Sequence, residues 1–187
     1  IPVDPDGLDP MLTAAASTFQ ITSNIYETLI TVDEKGNLEP CLADSWSISE
    51  DGLSISFNLR KNAAFSNGKK CGSEEVKESF ISEIETPDEK TIVFKMDEIN
   101  VAALSSFAYP WAAVVDTEES NLKNKPMGTG PYCLSSWVPQ EKLVLALNPY
   151  YGKEVKNDGF VLVVMPDLTA EITALEAGEV DVILITG

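Results

Sequence analysis

The chain has 187 residues, of which 44% are hydrophobic, and its 30 acidic and 13 basic side chains give a formal net charge of −17. This hydrophobic share supports a folded core rather than a disordered chain. The negative charge disfavours nucleic acid and anionic membrane surfaces as partners. Histidine is absent and Arg60 is the one arginine, which disfavours metal ligation, general-base catalysis and a site selective for anions.

Hydrophobic spacing and turn residues predict the elements of the first hundred residues. The first is a helix that starts at Ser17 or Thr18 and runs through Ile21, Ile25 and Leu29. A turn at 33–37, a hairpin around Asp51-Gly52 and a turn at Asn67-Gly68 follow. A second helix, capped by Ser73, runs through Val76, Phe80 and Ile84 and ends at Pro87-Asp88, and a strand at 91–96 comes after it. The hairpin is the strongest of these predictions, because Leu53 to Leu59 alternates apolar and polar residues.

The second half of the chain predicts further strands and one helix. A short helix lies within 101–115, is broken by Pro110 and is followed by a strand near 112–115. Strands at 143–147 and 160–165 are predicted to be covered on both faces. A helix capped by Asp167, with Ile172 and Leu175 facing inward, ends at Gly178, and a buried strand at 180–185 follows. The last strand–helix–strand unit favours a parallel, right-handed crossover. The longest apolar stretch, 101–115, is too short to span a bilayer.

These elements predict an α/β fold with a mixed sheet and an inserted, hairpin-rich subdomain. We expect one lobe covering residues 1–187. Residues 1–32 and 128–187 would form its sheet layer, and residues 33–127 would form the inserted subdomain.

Cys41, Cys71 and Cys133 are too widely spaced for a zinc or redox Cys-x-x-Cys motif. An odd number leaves at least one thiol free within the chain. Without a histidine to activate a thiol, we expect small packing residues and not a catalytic nucleophile.

Several short strings, in their order along the chain, resemble one known family. They are Leu8-Asp9-Pro10, Asn24 to Leu29, Leu38 to Trp46, Asp51-Gly52-Leu53, Phe57 to Lys61, Phe65 to Gly68, Glu74-Glu75-Val76, Gly128 to Tyr132, Trp137, Asn148 to Gly152 and Ala174 to Asp181. The family is that of the extracellular solute-binding proteins of the oligopeptide, dipeptide and nickel importers. The resemblance implies a periplasmic-binding-protein-like lobe, the N-terminal one.

The resemblance implies that this chain is the substrate-binding component of an ABC importer. Its ligand would be a small solute, a peptide above all, and its protein partner the transporter permease. It would act as a monomer, without cofactor, metal or catalytic residue, outside the membrane as an extracellular or periplasmic lipoprotein. Members of the family are much longer and carry a longer excursion between Phe80 and Thr91, so the resemblance also implies a partial or trimmed lobe.

The resemblance places the ligand between two lobes, near residues 12–19 and 109–111. We therefore expect Thr13, Phe19, Tyr109 and Trp111 to contact the ligand, although core packing would explain the three aromatic residues equally well. Gly128-Thr129-Gly130-Pro131 lacks the lysine and spacing of a phosphate loop and is interpreted as a tight turn.

Two other functions remain open at this point. One is a ligand-sensing lobe of a regulator, which would require a DNA-binding domain elsewhere in the protein. The other is a hydrolase with a carboxylate pair, such as Glu118 with Glu119 or Asp44 with Glu50, whose placement across one cleft the sequence cannot show.

Overall fold

A computed structural model describes residues 1–183 of the chain. Its elements, in chain order, are α1 (Ala16–Thr22), β1 (Ile30–Val32), β2 (Leu38–Pro40), β3 (Ala43–Ile48), β4 (Ser54–Leu59), α2 (Ser73–Glu78), β5 (Ile84–Glu85), β6 (Thr91–Lys95), α3 (Ala103–Ser106), a 3₁₀ turn (Pro110–Ala112), β7 (Tyr132–Val138), β8 (Lys142–Leu147), β9 (Gly159–Val163) and α4 (Leu168–Glu176). The α/β fold class is confirmed, with short helices beside several small sheets.

The strands form three sheets within the described residues. β1 pairs with β2, a four-stranded sheet has the order β3-β4-β6-β5, and a three-stranded sheet has the order β7-β8-β9. Every one of these pairings is antiparallel. Antiparallel neighbours need only short connections, which suits the many turns of this sequence.

The predicted hairpin is confirmed. β3 pairs with β4 in a register that places Trp46 opposite Phe57. Gly52 supplies the positive φ of 72° that the turn requires. Alternation buries Ile55, Phe57 and Leu59 on one face of β4.

Two hydrophobic clusters hold the chain together. The first contains buried residues from Leu29 to Val114, including the four-stranded sheet, and Phe57, Phe94 and Phe107 pack in it with centroid distances of 4.4 to 5.8 Å. The second joins the two ends of the chain. Its buried members are Leu8, Ile21, Ile25, Tyr26, Ala113, Val115, Tyr132, Leu143 and Leu145. The predicted division into a sheet layer and an inserted subdomain stays a prediction.

The helices differ from their predictions at both ends. α1 ends at Thr22, so Ile25 and Leu29 lie beyond it, although both are fully buried. α2 ends at Glu78, well before Pro87, and Ile84 belongs to β5. The residue before α2 is Gly72, and the predicted cap, Ser73, instead donates its hydroxyl to the Asp88 carbonyl at 2.6 Å. Tertiary contacts, and not helical periodicity, bury these apolar side chains.

The C-terminal elements are confirmed only in part. The Asp167 carboxylate caps α4, accepting from the Ala170 amide at 2.8 Å, and Gly178 follows the helix with a φ of 72°. The prediction that Ile172 and Leu175 face inward is wrong, because α4 buries Glu171 and Ala174.

The strands predicted near the two chain segments 112–115 and 180–185 are not observed in the described residues. Residues 112–115 form no strand, residues 180–183 form none either, and residues 184–185 lie outside the described part of the chain. The prediction that the strands at 143–147 and 160–165 are covered on both faces is also wrong, because alternate residues of β8 are buried and Val161 of β9 is 55% exposed. No helix between residues 1 and 183 combines the length and apolar character needed to cross a membrane.

Candidate functional site

The segment that follows α1 is fixed against the Gly128–Tyr132 loop by backbone hydrogen bonds. The Gly130 amide donates to the Ile25 carbonyl at 2.8 Å, and the Tyr132 amide donates to the Asn24 carbonyl at 3.1 Å. A Cβ atom on Gly128 would lie 2.1 Å from the Ile25 carbonyl oxygen. The glycines of this loop therefore serve the close approach of two backbones, which a side chain would prevent.

A buried ion cluster lies directly beyond this junction. The Glu27 carboxylate accepts two hydrogen bonds from Nη1 of Arg60, at 2.6 and 2.7 Å, and the two side chains are only 4% and 8% exposed. Nζ of Lys153 lies 3.5 Å from the same carboxylate. Tyr151 lies beside both cations, with its ring centroid 5.5 Å from Cζ of Arg60 and 5.8 Å from Nζ of Lys153. The cluster thus joins three segments that are distant in sequence.

A cavity of about 270 Å³ opens beside Glu27, and we call it the central cavity. Its lining is Thr22, Ser23, Tyr26, Glu27, Thr28, Thr31, Cys41, Ala108, Pro110, Ala113, Pro131 and Tyr151. Glu27 is the one charged side chain among these described residues. Hydroxyl groups and aromatic surface dominate, so the cavity can hydrogen-bond a polar ligand group and enclose an apolar one.

One fully buried hydroxyl among the residues that line the central cavity has no hydrogen-bond partner in the described part of the chain. Thr22 is 1% exposed, and its Oγ1 makes no hydrogen bond within the described residues. A buried hydroxyl of this kind is costly unless a water or ligand atom satisfies it. The Thr22 hydroxyl is therefore an unsatisfied polar group in the wall of the central cavity.

Two stacked aromatic side chains lie next in sequence to residues that line the central cavity. Tyr109 and Trp111 stack with a centroid distance of 4.5 Å and an interplanar angle of 9°, and they are 50% and 55% exposed. Pro110 between them lines the cavity and begins the 3₁₀ turn that orients both rings. Plain core packing does not account for this pair, because half of each side chain faces solvent.

None of the four predicted contact residues belongs to the lining of the central cavity. Thr13 donates its hydroxyl to Asp6 at 2.9 Å, and Thr18 donates to the same carboxylate oxygen. The Thr18 hydrogen bond is the main cause that lowers the pKa of Asp6 below its usual value. Phe19 is half-buried within α1. Ligand contact by Thr13, Phe19, Tyr109 and Trp111 stays a prediction.

Sequence reasoning did not identify Glu27, Cys41, Tyr151 or Thr22 as site residues. Glu27 and Tyr151 lie within the strings that carry the family resemblance. The 33 residues between Glu27 and Arg60 give no local pattern from which that pair could be inferred.

The three thiols are free and poorly activated. Burial, followed by the negative charge of Glu27, raises the pKa of the Cys41 thiol to about 11. Burial raises the pKa of Cys71 to about 12 and also raises that of Cys133. A raised thiol pKa disfavours the reactive thiolate. Within residues 1–183, no three Cys, Asp or Glu side chains are grouped so that they could hold a metal ion.

Comparison with curated proteins finds relatives that align with nearly the whole chain. A probable D,D-dipeptide-binding periplasmic protein of Escherichia coli is 28% identical over 96% of this chain and 41% of its own length. The nickel-binding periplasmic protein of the same organism is 28% identical over 97% of this chain and 40% of its own. The chain thus spans about two fifths of the length of these relatives.

Solved structures agree in fold. A nickel ABC transporter protein from Bacillus halodurans matches with a TM-score of 0.83 and 32% identity over 95% of this chain and 40% of the other. The periplasmic binding protein DppA of Helicobacter pylori, solved with the peptide STSA, matches with a TM-score of 0.87 and 26% identity, covering 95% of this chain and 44% of the other.

The family model described as bacterial extracellular solute-binding proteins, family 5 Middle, matches residues 37–82 and 80–186, which together are most of the chain. The ordered strings from Leu38 to Asp181 that suggested the resemblance lie inside these two matches. The chain therefore belongs to family 5 of the bacterial extracellular solute-binding proteins.

Proposed function

We propose that this chain is part of the substrate-binding component of an ABC importer, and that it captures a peptide or similar small solute outside the membrane. The observation that carries the proposal is the central cavity, whose lining residue Pro110 lies between the exposed, stacked Tyr109 and Trp111, in a member of a solute-binding family. Exposed, stacked aromatic rings provide apolar contact area at low cost in conformational entropy.

The lining of the central cavity favours an uncharged or cationic ligand group. No Lys or Arg belongs to the described lining, and the nearby Arg60 already pairs with Glu27. A ligand carboxylate placed there would lose water without gaining a cation. We infer that this lobe contacts the peptide backbone, side chains or amino end, and that any ligand carboxylate is bound elsewhere in the protein.

Binding in the proposed mode requires a second surface. The cavity is open, and the relatives extend over more than twice the length matched here. Two lobes that close on a ligand remove it from water on both sides, which one lobe cannot do. We expect the isolated chain to bind at most weakly.

The remaining parts of the proposal follow from the family. The binding protein would act as a monomer at an extracellular or periplasmic site, anchored as a lipoprotein, and would deliver its ligand to the transporter permease. It would perform no chemistry on the ligand.

Thermal unfolding with a pool of short peptides tests the proposal. Ligand at a hundred times its dissociation constant stabilises a protein by about 2.7 kcal/mol, which is a rise of roughly 5 to 10 °C in Tm for a domain of this size. The protein in its natural length and the 187-residue chain would be compared, with a sugar pool as control. A rise with peptides in the natural-length protein supports the proposal, whereas a rise with sugars alone contradicts the peptide assignment. No rise with any solute pool contradicts the function.

A further inference from the structure

A second cavity, of about 330 Å³, concentrates positive charge in this acidic chain, and we call it the basic cavity. Its charged lining is Arg60, Lys61, Lys70, Lys90 and Glu89. Four of the 13 basic residues of a chain with net charge −17 thus border one cavity with a single carboxylate. On a surface selected only for solubility, basic and acidic side chains are usually interspersed.

Backbone hydrogen bonds hold three chain segments around the basic cavity. The Leu59 amide donates to the Lys90 carbonyl at 2.8 Å, and the Cys71 amide donates to the Ala63 carbonyl at 2.9 Å. Lys61, Lys70 and Lys90 therefore start from fixed backbone positions on different segments. Their long side chains can converge on one bound group while each still reaches water.

The existing ion pairs leave positive charge unused. Glu89 is already paired with Lys70, with 2.5 Å between Oε2 and Nζ. Lys61 and Lys90 form no ion pair within the described residues. Arg60 also lines the cavity. It is 8% exposed, and its Nη2 is buried without a hydrogen-bond partner in the same part of the chain. The Arg60 charge is already neutralised by Glu27, so Lys61 and Lys90 carry the positive charge that is available to a ligand of the basic cavity.

We propose that the basic cavity binds a phosphoryl oxyanion, either free phosphate or a phosphate group on a larger molecule. The cavity has room for a tetrahedral anion, and its ammonium groups supply the charge-assisted hydrogen bonds that phosphate oxygens prefer. The site is separate from the central cavity, because the two linings share no residue. The proposal does not depend on which solute the protein transports.

Calorimetric titration of the protein with inorganic phosphate, at constant ionic strength with chloride as the balancing anion, tests the site. We expect saturable binding in roughly the millimolar range. The variant Lys61→Gln/Lys90→Gln should weaken it at least tenfold, since each charge-assisted hydrogen bond contributes about a factor of ten or more. The matched control Lys35→Gln/Lys95→Gln removes the same charge from exposed positions outside the lining and should leave binding unchanged.

Vesicles distinguish the two sources of phosphate. The same proteins would be sedimented with vesicles of phosphatidylglycerol and phosphatidylcholine, and with phosphatidylcholine alone. Saturable phosphate binding that is lost in the cavity variant, without co-sedimentation with either kind of vesicle, supports a free anion. Co-sedimentation with the vesicles that contain phosphatidylglycerol, but not with vesicles of pure phosphatidylcholine, supports a phosphate headgroup if the cavity variant loses it and the control variant keeps it. Equal behaviour of the cavity and control variants, or no binding in either assay, overturns the proposal.

Discussion

Glu27 and Arg60 form a buried carboxylate–guanidinium pair in which one nitrogen, Nη1, lies 2.6 and 2.7 Å from the two carboxylate oxygens. The same nitrogen lies 3.2 Å from the Cys41 carbonyl oxygen. Because Glu27 precedes β1 and Arg60 follows β4, the pair connects the segment beside the central cavity to the four-stranded sheet. Burial makes each partner dependent on the other, since a single charge left behind would have lost its water.

Replacing Arg60 with Met should lower the free energy of unfolding by about 3 kcal/mol or more, because Glu27 would remain buried beside only the partly exposed Lys153. Urea denaturation measures the change. Lys153→Gln serves as the control and should cost less than about 1 kcal/mol, since its side chain is 43% exposed. A loss below about 1 kcal/mol for Arg60→Met would show that the pair does not stabilise the fold.

Gly128→Ala should be among the most destabilising single substitutions in the chain. The added methyl group would lie 2.1 Å from the Ile25 carbonyl oxygen and 2.6 Å from the Tyr26 ring, so the two backbones would have to separate. Overpacking of this severity costs about 3 kcal/mol or more. Gly36→Asn is the control, because no atom lies within 4 Å of the new Cβ and asparagine tolerates the positive φ. Comparable unfolding midpoints for the two variants would contradict the close-approach explanation.

Trp111→Ala should weaken ligand binding about tenfold, because the ligand would lose contact with a ring that is 55% exposed. Loss of the stacking with Tyr109 should lower the free energy of unfolding by no more than about 1.5 kcal/mol. Calorimetry with the ligand identified from the peptide pool measures the loss. Leu168→Ala, a similarly exposed apolar residue on α4, should leave affinity unchanged. If both substitutions change affinity equally, the aromatic stack is not part of the binding surface.

Alkylation of the thiols should be slow at pH 8. For Cys41 the alkylation rate should increase with pH up to about pH 11, because burial and Glu27 raise the pKa of this thiol to about 11. At pH 8 only about one Cys41 in a thousand would be a thiolate. Glu27→Gln should accelerate alkylation of Cys41, because removing the nearby negative charge lowers the pKa of that thiol.

Mass spectrometry of peptides after timed iodoacetamide treatment would follow each cysteine separately. Cys71, the most buried of the three, serves as the internal control and should react last in both proteins. Unchanged alkylation of Cys41 in the Glu27→Gln variant would mean that the carboxylate does not control its pKa.

Prediction from sequence succeeded where local pattern and tertiary environment agree. The alternation from Leu53 to Leu59 gave both the strand and its buried face, and Asp167 gave the start of α4. It failed where burial comes from distant segments. Ile25 and Leu29 have helical spacing, yet they lie after α1 and are buried by other elements. β7 was missed altogether, because Tyr132 to Val138 mixes serine and apolar residues without regular alternation.

Only the aromatic residues beside the candidate site could be proposed from the sequence. Tyr109 and Trp111 could be proposed because they flank a proline within a segment that the family resemblance places near the ligand. The central cavity, by contrast, is formed by short stretches around Thr22, Cys41 and Tyr151, and only the folded backbone brings them together. The proposed function rests on the family, because no catalytic or metal-binding pattern in the sequence indicates another one.

The two hydrophobic clusters impose an order on folding during synthesis. Every buried member of the first cluster lies between Leu29 and Val114, so its strands can pair as soon as that stretch has left the ribosome. The second cluster needs Leu8 and Ile21 from the beginning of the chain together with Leu143 and Leu145, which are made much later. The N-terminal apolar residues of the second cluster can therefore be covered only after β7 and β8 have been made, when the first cluster can already be packed.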